Sequence, residues 1–214
     1  MKIVYISGSP RKKDSNTDYL LNLVRSVTGG EFIKLIHNRI APCNACRGCL
    51  KHSSCKIDDD FTNLLTPVLL EADAVIAGSP VHFNNVSSQL KAFIDRTWSL
   101  RGKIRNKIGG AVVVGKRYGA ESAITAIHAF FLKHEMIPAN RGVCGMAFNP
   151  GEIKTDAEAM ASATKLGERI LELEKLTHRG AENYVSKKRR RISCLKRSFI
   201  RRPSRDIIRK CSNA

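Results

Sequence analysis

The chain has 214 residues, 43% of them hydrophobic, and a formal net charge of +18 at pH 7. That length suits one domain with an extension. Met1 to Ile6 form a short strand-like run without the apolar region and cleavage site of a signal peptide, and no run approaches the ~18 apolar residues of a membrane-spanning helix, so a cytoplasmic protein is expected. Of the 37 Lys and Arg, 13 fall in residues 177–214, which hold only Glu182 and Asp206 of the 19 acids. The excess charge therefore belongs mostly to a tail and says little about the chemistry of the main domain.

Lys2 to Ser7 is a mainly apolar run ending in Gly8-Ser9-Pro10, the pattern of a buried parallel strand. Arg11 to Thr17 forms a loop rich in N-cap residues. Tyr19, Leu20, Leu23, Val24 and Val27 follow at helical spacing, closed by Gly29-Gly30. Glu31 to Ile36 is a second strand. A cysteine-bearing loop then runs from about His37 to Asp60. Asp58-Asp59-Asp60 cap a helix expected over Phe61 to Glu71.

Asp73 to Ser79 is a third strand, again closed by Ser-Pro. Leu90, Phe93, Ile94 and Thr97 share one helical face. Lys107 to Gly115 is a glycine-rich fourth strand, and Glu121 to His134 a helix. Arg141 to Met146 is a fifth strand. Asp156 to Leu176 is a long amphipathic helix with Met160, Ala163, Leu166, Ile170, Leu173 and Leu176 inward. Cys144 is expected in the core. Strands alternating with helices predict a doubly wound α/β fold, a five-stranded parallel sheet in the flavodoxin-like order 2-1-3-4-5. Its ligand would bind where the strand order reverses, between strands one and three. The expected organisation is a domain over 1–180, with the cysteine loop at 41–58, and a basic tail over 181–214.

Four of the seven cysteines, Cys43, Cys46, Cys49 and Cys55, are spaced C-x2-C-x2-C-x5-C. A packed core has no need of such a cluster. A tight run of this kind wraps one loop around a compact inorganic centre, and thiolates so arranged hold iron–sulfur clusters. Structural zinc, redox-sensing thiols and disulfides are the alternatives; two successive x2 gaps suit a cuboidal cluster better than separated zinc knuckles.

The loop after the first strand contains neither a G-x-G-x-x-G fingerprint nor a G-K-[ST] phosphate loop. It offers Ser9, Arg11, Ser15, Asn16 and Thr17 at a helix start, a donor set suited to a terminal phosphate. The loop after the third strand, Pro80-Val81-His82-Phe83-Asn84, brings apolar and aromatic surface beside amides, fit to bracket a flat heterocycle. The third loop, Gly115-Lys116-Arg117-Tyr118-Gly119, adds glycine backbone and two cations. A cation or N–H near the flavin N1/O2 edge would stabilise the anionic reduced ring. Three loops converging at one switch point favour a mononucleotide flavin over a dinucleotide.

Gly8-Ser9-Pro10-Arg11 with Ser15-Asn16-Thr17, Ala41-Pro42 with the four cysteines and Ile57 to Asp60, Ser79-Pro80-Val81, Gln89 to Phe93 with Asp95-Arg96, and Ile127-His128 together resemble the iron–sulfur flavoproteins. These sit within the flavodoxin-like NADPH-dependent FMN reductase superfamily, and the resemblance covers about residues 1–176. His82 stands where an aromatic is usual, and Ala120-Glu121 replaces a Gly-Gln pair. The resemblance implies FMN, a [4Fe–4S] cluster held by Cys43, Cys46, Cys49 and Cys55, and electron transfer between them. It also implies a homodimer or tetramer in which the cluster of one subunit lies near a neighbour's flavin. NAD(P)H and a ferredoxin-like carrier are the candidate electron partners. Two other functions fit the residues: a cluster-free NAD(P)H-dependent FMN or quinone reductase, and a flavodoxin-like module whose basic tail docks on nucleic acid or membrane. In the tail, a basic amphipathic helix is expected over Ser193 to Arg201, with Cys194 and Cys211 as unpaired thiols.

Overall fold

The computed structural model describes residues 1–177. The helix expected in the tail, and Cys194 and Cys211, lie outside the described residues. Contacts divide the chain into a unit spanning Met1–Leu171 and a second beginning at Glu172. The sheet and both candidate sites belong to the first.

Strand β1 (Ile3–Ser7) is buried at all five positions. That is what a central parallel strand requires when helices cover both faces. It pairs in parallel with β2 (Glu31–Lys34) on one side and β3 (Ala74–Pro80) on the other, so Ser7 lies opposite both Lys34 and Gly78. β4 (Ile108–Gly115), also buried throughout, pairs with β3. β5 (Ile137–Pro138) and β6 (Val143–Met146) both pair in parallel with β4. The order β2-β1-β3-β4-β5 is the expected flavodoxin-like one, with the fifth position split in two. A turn in which Asn140 Oδ1 accepts from the Gly142 N–H at 2.8 Å, with Gly142 at φ 101°, separates the two pieces.

Cys144 is exposed, contrary to the expected core position. On β6, buried Val143 and Gly145 alternate with exposed Cys144 and Met146. The period of two sends Cys144 to the outer face of an edge strand.

Helix α1 (Asn16–Thr28) starts ahead of its apolar pattern because Ser15 caps it, and it ends at Gly29, φ 70°. β2 is shorter than expected and turns into a single 3-10 turn, Leu35–His37. The cysteine stretch contains one short helix, α2 (Gly48–His52). The helix expected over Phe61 to Glu71 forms as a π-helical turn (Phe61–Leu65) followed by α3 (Thr66–Glu71). Pro67 has no N–H to offer the preceding turn, and the ladder widens there. α4 (Ser88–Arg96) and α5 (Ala120–Lys133) match the expected helices. Residues 157–177 form α6. Ala163, Leu166 and Ile170 are buried as expected, whereas Leu176, in the last described turn, is 54% exposed.

One face of the sheet is sealed by an aromatic row. Phe61 meets Phe93 edge-on at 5.9 Å between centroids, and Phe93 meets Phe130 at 6.1 Å. Each fully buried side chain of this size contributes on the order of 2 kcal/mol. Among the described residues no helix is long and apolar enough to cross a membrane.

Candidate functional site

A cavity of about 210 Å³ opens at the switch point between β1 and β3. It is lined by Ser9, Arg11, Ser15, Asn16 and Thr17 from the first loop, Pro80, Val81 and His82 from the second, and Gly115 and Lys116 from the third. Ala147 and Phe148, which follow β6, complete the rim. Three loops expected from the sequence to converge are thus brought together by parallel strands that all end on one side.

The first loop is pre-ordered. Ser9 and Ser15 are buried, and the Ser15 hydroxyl donates to Ser9 Oγ at 2.8 Å. Ser15 Oγ accepts from the Asp18 N–H at 3.1 Å and so caps α1, while Ser9 Oγ accepts from the Arg11 N–H at 3.3 Å. Accepting from both, the Ser9 hydroxyl keeps its own proton to donate. Buried hydroxyls at the N-terminus of a 13-residue helix are the donor set a phosphate dianion needs. The Asn16 side chain is engaged elsewhere. It donates to the Asn149 carbonyl at 2.8 Å and accepts from the Ile153 N–H at 3.4 Å, which ties the first loop to the one after β6.

Lys34, at the end of β2, clamps the loop from outside. Its ammonium donates to the carbonyls of Arg11 and Lys12 at 2.9 and 3.0 Å and pairs with Asp18 at 2.6 Å. Nothing in the sequence pattern marks Lys34, Ala147 or Phe148 as site residues. Lys34 was legible only as a strand residue. The apolar pair just before Asn149-Pro150-Gly151 is the signal that marks a strand-end loop.

The second loop is a two-residue hairpin. His82 and Asn85 exchange backbone hydrogen bonds of 2.8 and 3.0 Å. Phe83 and Asn84 between them have φ of 46° and 61°, the signs of a type I′ turn. Phe83 and Asn84, at the tip of this turn, lie outside the cavity lining, and so do Arg117 and Gly119 of the third loop. Phe83 is fully exposed at the tip, and Arg117 is exposed. Gly119 has φ +82°, and a Cβ there would stand 2.5 Å from Asn84 Cα. Only glycine allows this approach of the second and third loops.

The cysteine loop sits apart. Cys43 and Cys46 are exposed, Cys49 and Cys55 partly buried, and all four are unpaired. All four line one cavity of about 30 Å³, closed below by Asp95, Arg96, Trp98 and Ser99. Among the described residues no group of three or more His, Cys, Asp or Glu is arranged to hold a metal ion. The thiols share a space without meeting at one point. Ala45, Arg47 and Ser53 hold φ of 55°, 56° and 56°. Left-handed conformations of this kind cost about 1 kcal/mol each and persist where the surroundings impose them. A strained loop that turns four unpaired thiols toward one space has the donor chemistry of an iron–sulfur site.

This cavity shares no lining residue with the one at the switch point. Ser87, the N-cap of α4, lies at the switch point; Arg96, nine residues on, lies under the thiols. A helix rises about 1.5 Å per residue, so the two sites lie roughly a helix length apart. Within one chain the cysteine stretch lies at the far end of α4, where Arg96 bonds the Ala41 and Ile57 carbonyls that flank it. A wider groove of about 920 Å³ extends from the cysteine loop between α4 and α5, past Ile94, Trp98, Ala126 and Phe130.

Arg96 ties the cysteine loop to the fold. Its side chain has no exposed surface and forms a two-pronged ion pair with Asp59, 2.6 and 2.9 Å. It also donates to the carbonyls of Ala41 at 2.8 Å and Ile57 at 3.3 Å, and its guanidinium lies 4.9 Å from the Phe61 ring centroid. Its Nε–H points to Cys55 Sγ at 3.2 Å. Burial opposes ionisation of Asp59, yet Arg96 and the Ala41 N–H hold its pKa below the usual carboxylate range. The signal for Arg96 was present in the sequence: it continues the buried Leu90, Phe93 spacing of α4, and a charge on an apolar stripe requires a buried partner.

Residues 1–150 match the family model described as NADPH-dependent FMN reductase. An iron–sulfur flavoprotein of Methanocaldococcus jannaschii is 38% identical over 82% of this chain and 98% of its own length. Another, from Methanosarcina thermophila, is 34% identical over 77% of this chain and 91% of its own. Among solved structures, the Trp repressor binding protein from Bacillus subtilis superposes with a TM-score of 0.60 at 22% identity, covering 77% of this chain and 97% of that one. At that identity the likeness speaks for the fold alone.

Proposed function

The chain belongs to the iron–sulfur flavoproteins of the NADPH-dependent FMN reductase family and is an FMN-dependent oxidoreductase; we propose that it also carries a [4Fe–4S] cluster and passes electrons between a reduced donor and an acceptor. The observation that carries this reading is the placement of Cys43, Cys46, Cys49 and Cys55 around one cavity, all four unpaired. When bound, FMN supplies one- and two-electron chemistry and the cluster one-electron chemistry.

The chain's own residues divide the work. Ser9, Ser15 and Thr17, with the first N–H groups of α1, hold the phosphate, and Arg11 adds a cation at the rim. Pro80, Val81 and His82 would flank the ring, while Gly115 and Lys116 would offer backbone N–H and positive charge to it. Cys43, Cys46, Cys49 and Cys55 supply the four thiolates. The two sites stand at opposite ends of α4, so the short path between them runs to a neighbouring subunit in a homodimer or tetramer. NAD(P)H and a ferredoxin-like protein are the proposed donors.

Anaerobic purification followed by iron and acid-labile sulfide analysis, with a visible spectrum, tests the reading. Iron and sulfide in equal amounts, flavin bands and a broad shoulder near about 400 nm are expected. Cys49→Ala should lose the cluster and keep FMN. Protein that takes up FMN but no iron after reconstitution would overturn the cluster and favour a cluster-free FMN or quinone reductase.

A further inference from the structure

We propose that Arg96 is a positioning and tuning residue for the cysteine site: its Nε–H hydrogen bond to Cys55 Sγ orients that thiolate and raises the reduction potential of a cluster bound there. The inference rests on the cluster reading above and adds to it a residue that contributes no ligand atom.

A guanidinium presents donors in a rigid planar fork. Here the two terminal nitrogens face Asp59 at 2.6 and 2.9 Å, which leaves Nε as the group that reaches Cys55, at 3.2 Å. The fork cannot rotate, because NH1 also donates to the Ala41 carbonyl and NH2 to the Ile57 carbonyl and Thr62 Oγ1. Ala41 precedes the first cysteine and Ile57 follows the last. One side chain therefore sets the separation of the two ends of the loop and the orientation of its fourth thiol. Asp59 is fixed in turn by the N–H groups of Ala41 and Thr62, at 2.9 and 3.3 Å.

The electrostatics follow. Reduction adds negative charge to the cluster and its sulfurs. A buried N–H donor to one of those sulfurs, carried by a cation, stabilises the reduced form more than the oxidised one. Asp59 neutralises the net charge of the pair, so the effect is that of a directed hydrogen bond in a dry setting rather than of a free positive charge. The Arg96 side chain is fully buried, which keeps water from substituting for it.

Two measurements test the assignment. In Arg96→Lys, the ammonium satisfies Asp59 but has no second donor in line with Cys55. Anaerobic EPR redox titration should show a fully loaded cluster with a more negative midpoint potential, while FMN content is unchanged. A loaded cluster at the wild-type potential would overturn the proposal. The second measurement uses the unaltered fork. Protein labelled with 15N-arginine, in an Arg47→Lys background so that Arg96 is the arginine left lining the cavity, should show a 15N hyperfine coupling to the reduced cluster. Absence of that coupling overturns the proposal even where Arg96→Lys fails to load. Wild-type protein without iron and sulfide would instead sink the cluster reading itself, so the two failures are distinguishable.

Discussion

Ser87 donates its hydroxyl to the Gly8 carbonyl at 2.6 Å, across the switch point between β1 and β3. The same oxygen accepts from the Leu90 N–H at 3.2 Å and so caps α4, and the Ser87 N–H reaches Ser79 Oγ at 2.8 Å. Ser87 thus joins the first loop, the end of β3 and the start of α4. The approach is close: a Cβ on Gly8 would stand 2.6 Å from Leu90 Cβ.

Replacing Ser87 with alanine removes a helix cap and leaves the buried Gly8 carbonyl without this donor. The expected loss is about 2 kcal/mol, read as a lower urea midpoint with an unchanged slope. FMN affinity should fall as well, because the loop that carries Ser9 is released. Ser87→Thr, which keeps the hydroxyl, should recover most of both.

Lys34 does not line the switch-point cavity, yet it holds the Arg11 and Lys12 carbonyls in place. Lys34→Met should weaken FMN binding about tenfold, roughly 1.4 kcal/mol, in a titration followed by quenching of flavin fluorescence. An unchanged dissociation constant would show that the loop holds its shape without the clamp.

Breaking the Arg96–Asp59 pair should be costly, because either partner left alone is a buried unpaired group. Asp59→Ala is expected to cost about 3–5 kcal/mol. Asp59→Asn, which keeps the hydrogen-bonding shape, should cost less. Equilibrium unfolding of the FMN-loaded protein measures both, and a cost below about 1 kcal/mol for Asp59→Ala, the range of an exposed pair, would refute the buried-pair account.

His134 is buried, accepts or donates one hydrogen bond to Thr97 Oγ1 at 3.0 Å, and leaves Nδ1 without a partner. Burial first, and Lys133 second, push its pKa below the usual histidine range; burial alone does the same to His128. The folded protein therefore binds these protons less readily than the unfolded chain. Stability should fall as pH drops below the unfolded value of about 6.5 toward the folded one, and be complete above it. His134→Gln should flatten that fall between about pH 7.5 and 5.5, read as urea midpoints across the range. A variant with the wild-type pH dependence would assign the effect to other groups.

The strand and helix succession was legible in the residues because burial on both faces writes parallel strands as continuous apolar runs, as in Ile3 to Ser7 and Ile108 to Gly115. The N-cap residues of the loop before α1 marked where that helix starts, whereas the cap of α4 at Ser87 emerged only in the structure. The cysteine spacing marked a site without any tertiary information, since ligand spacing within one loop is a local property. The three loops of the switch-point cavity were legible for a related reason: parallel strands all end on one side, so the residues after each share a rim.

The rest depended on contacts between segments far apart in the chain. Lys34 meets Arg11 only because β2 lies beside β1, and Phe148 reaches the rim only because the fifth position is divided and β6 docks on β4. The type I′ turn turned Phe83 away from the cavity that its neighbours line. The four cysteines announced their chemistry by themselves. Their place beneath the far end of α4, a helix length from the switch-point cavity and pinned by Arg96 across 41 positions to Cys55, was decided by packing: a buried guanidinium must find its carboxylate, and the loop closed around the pair.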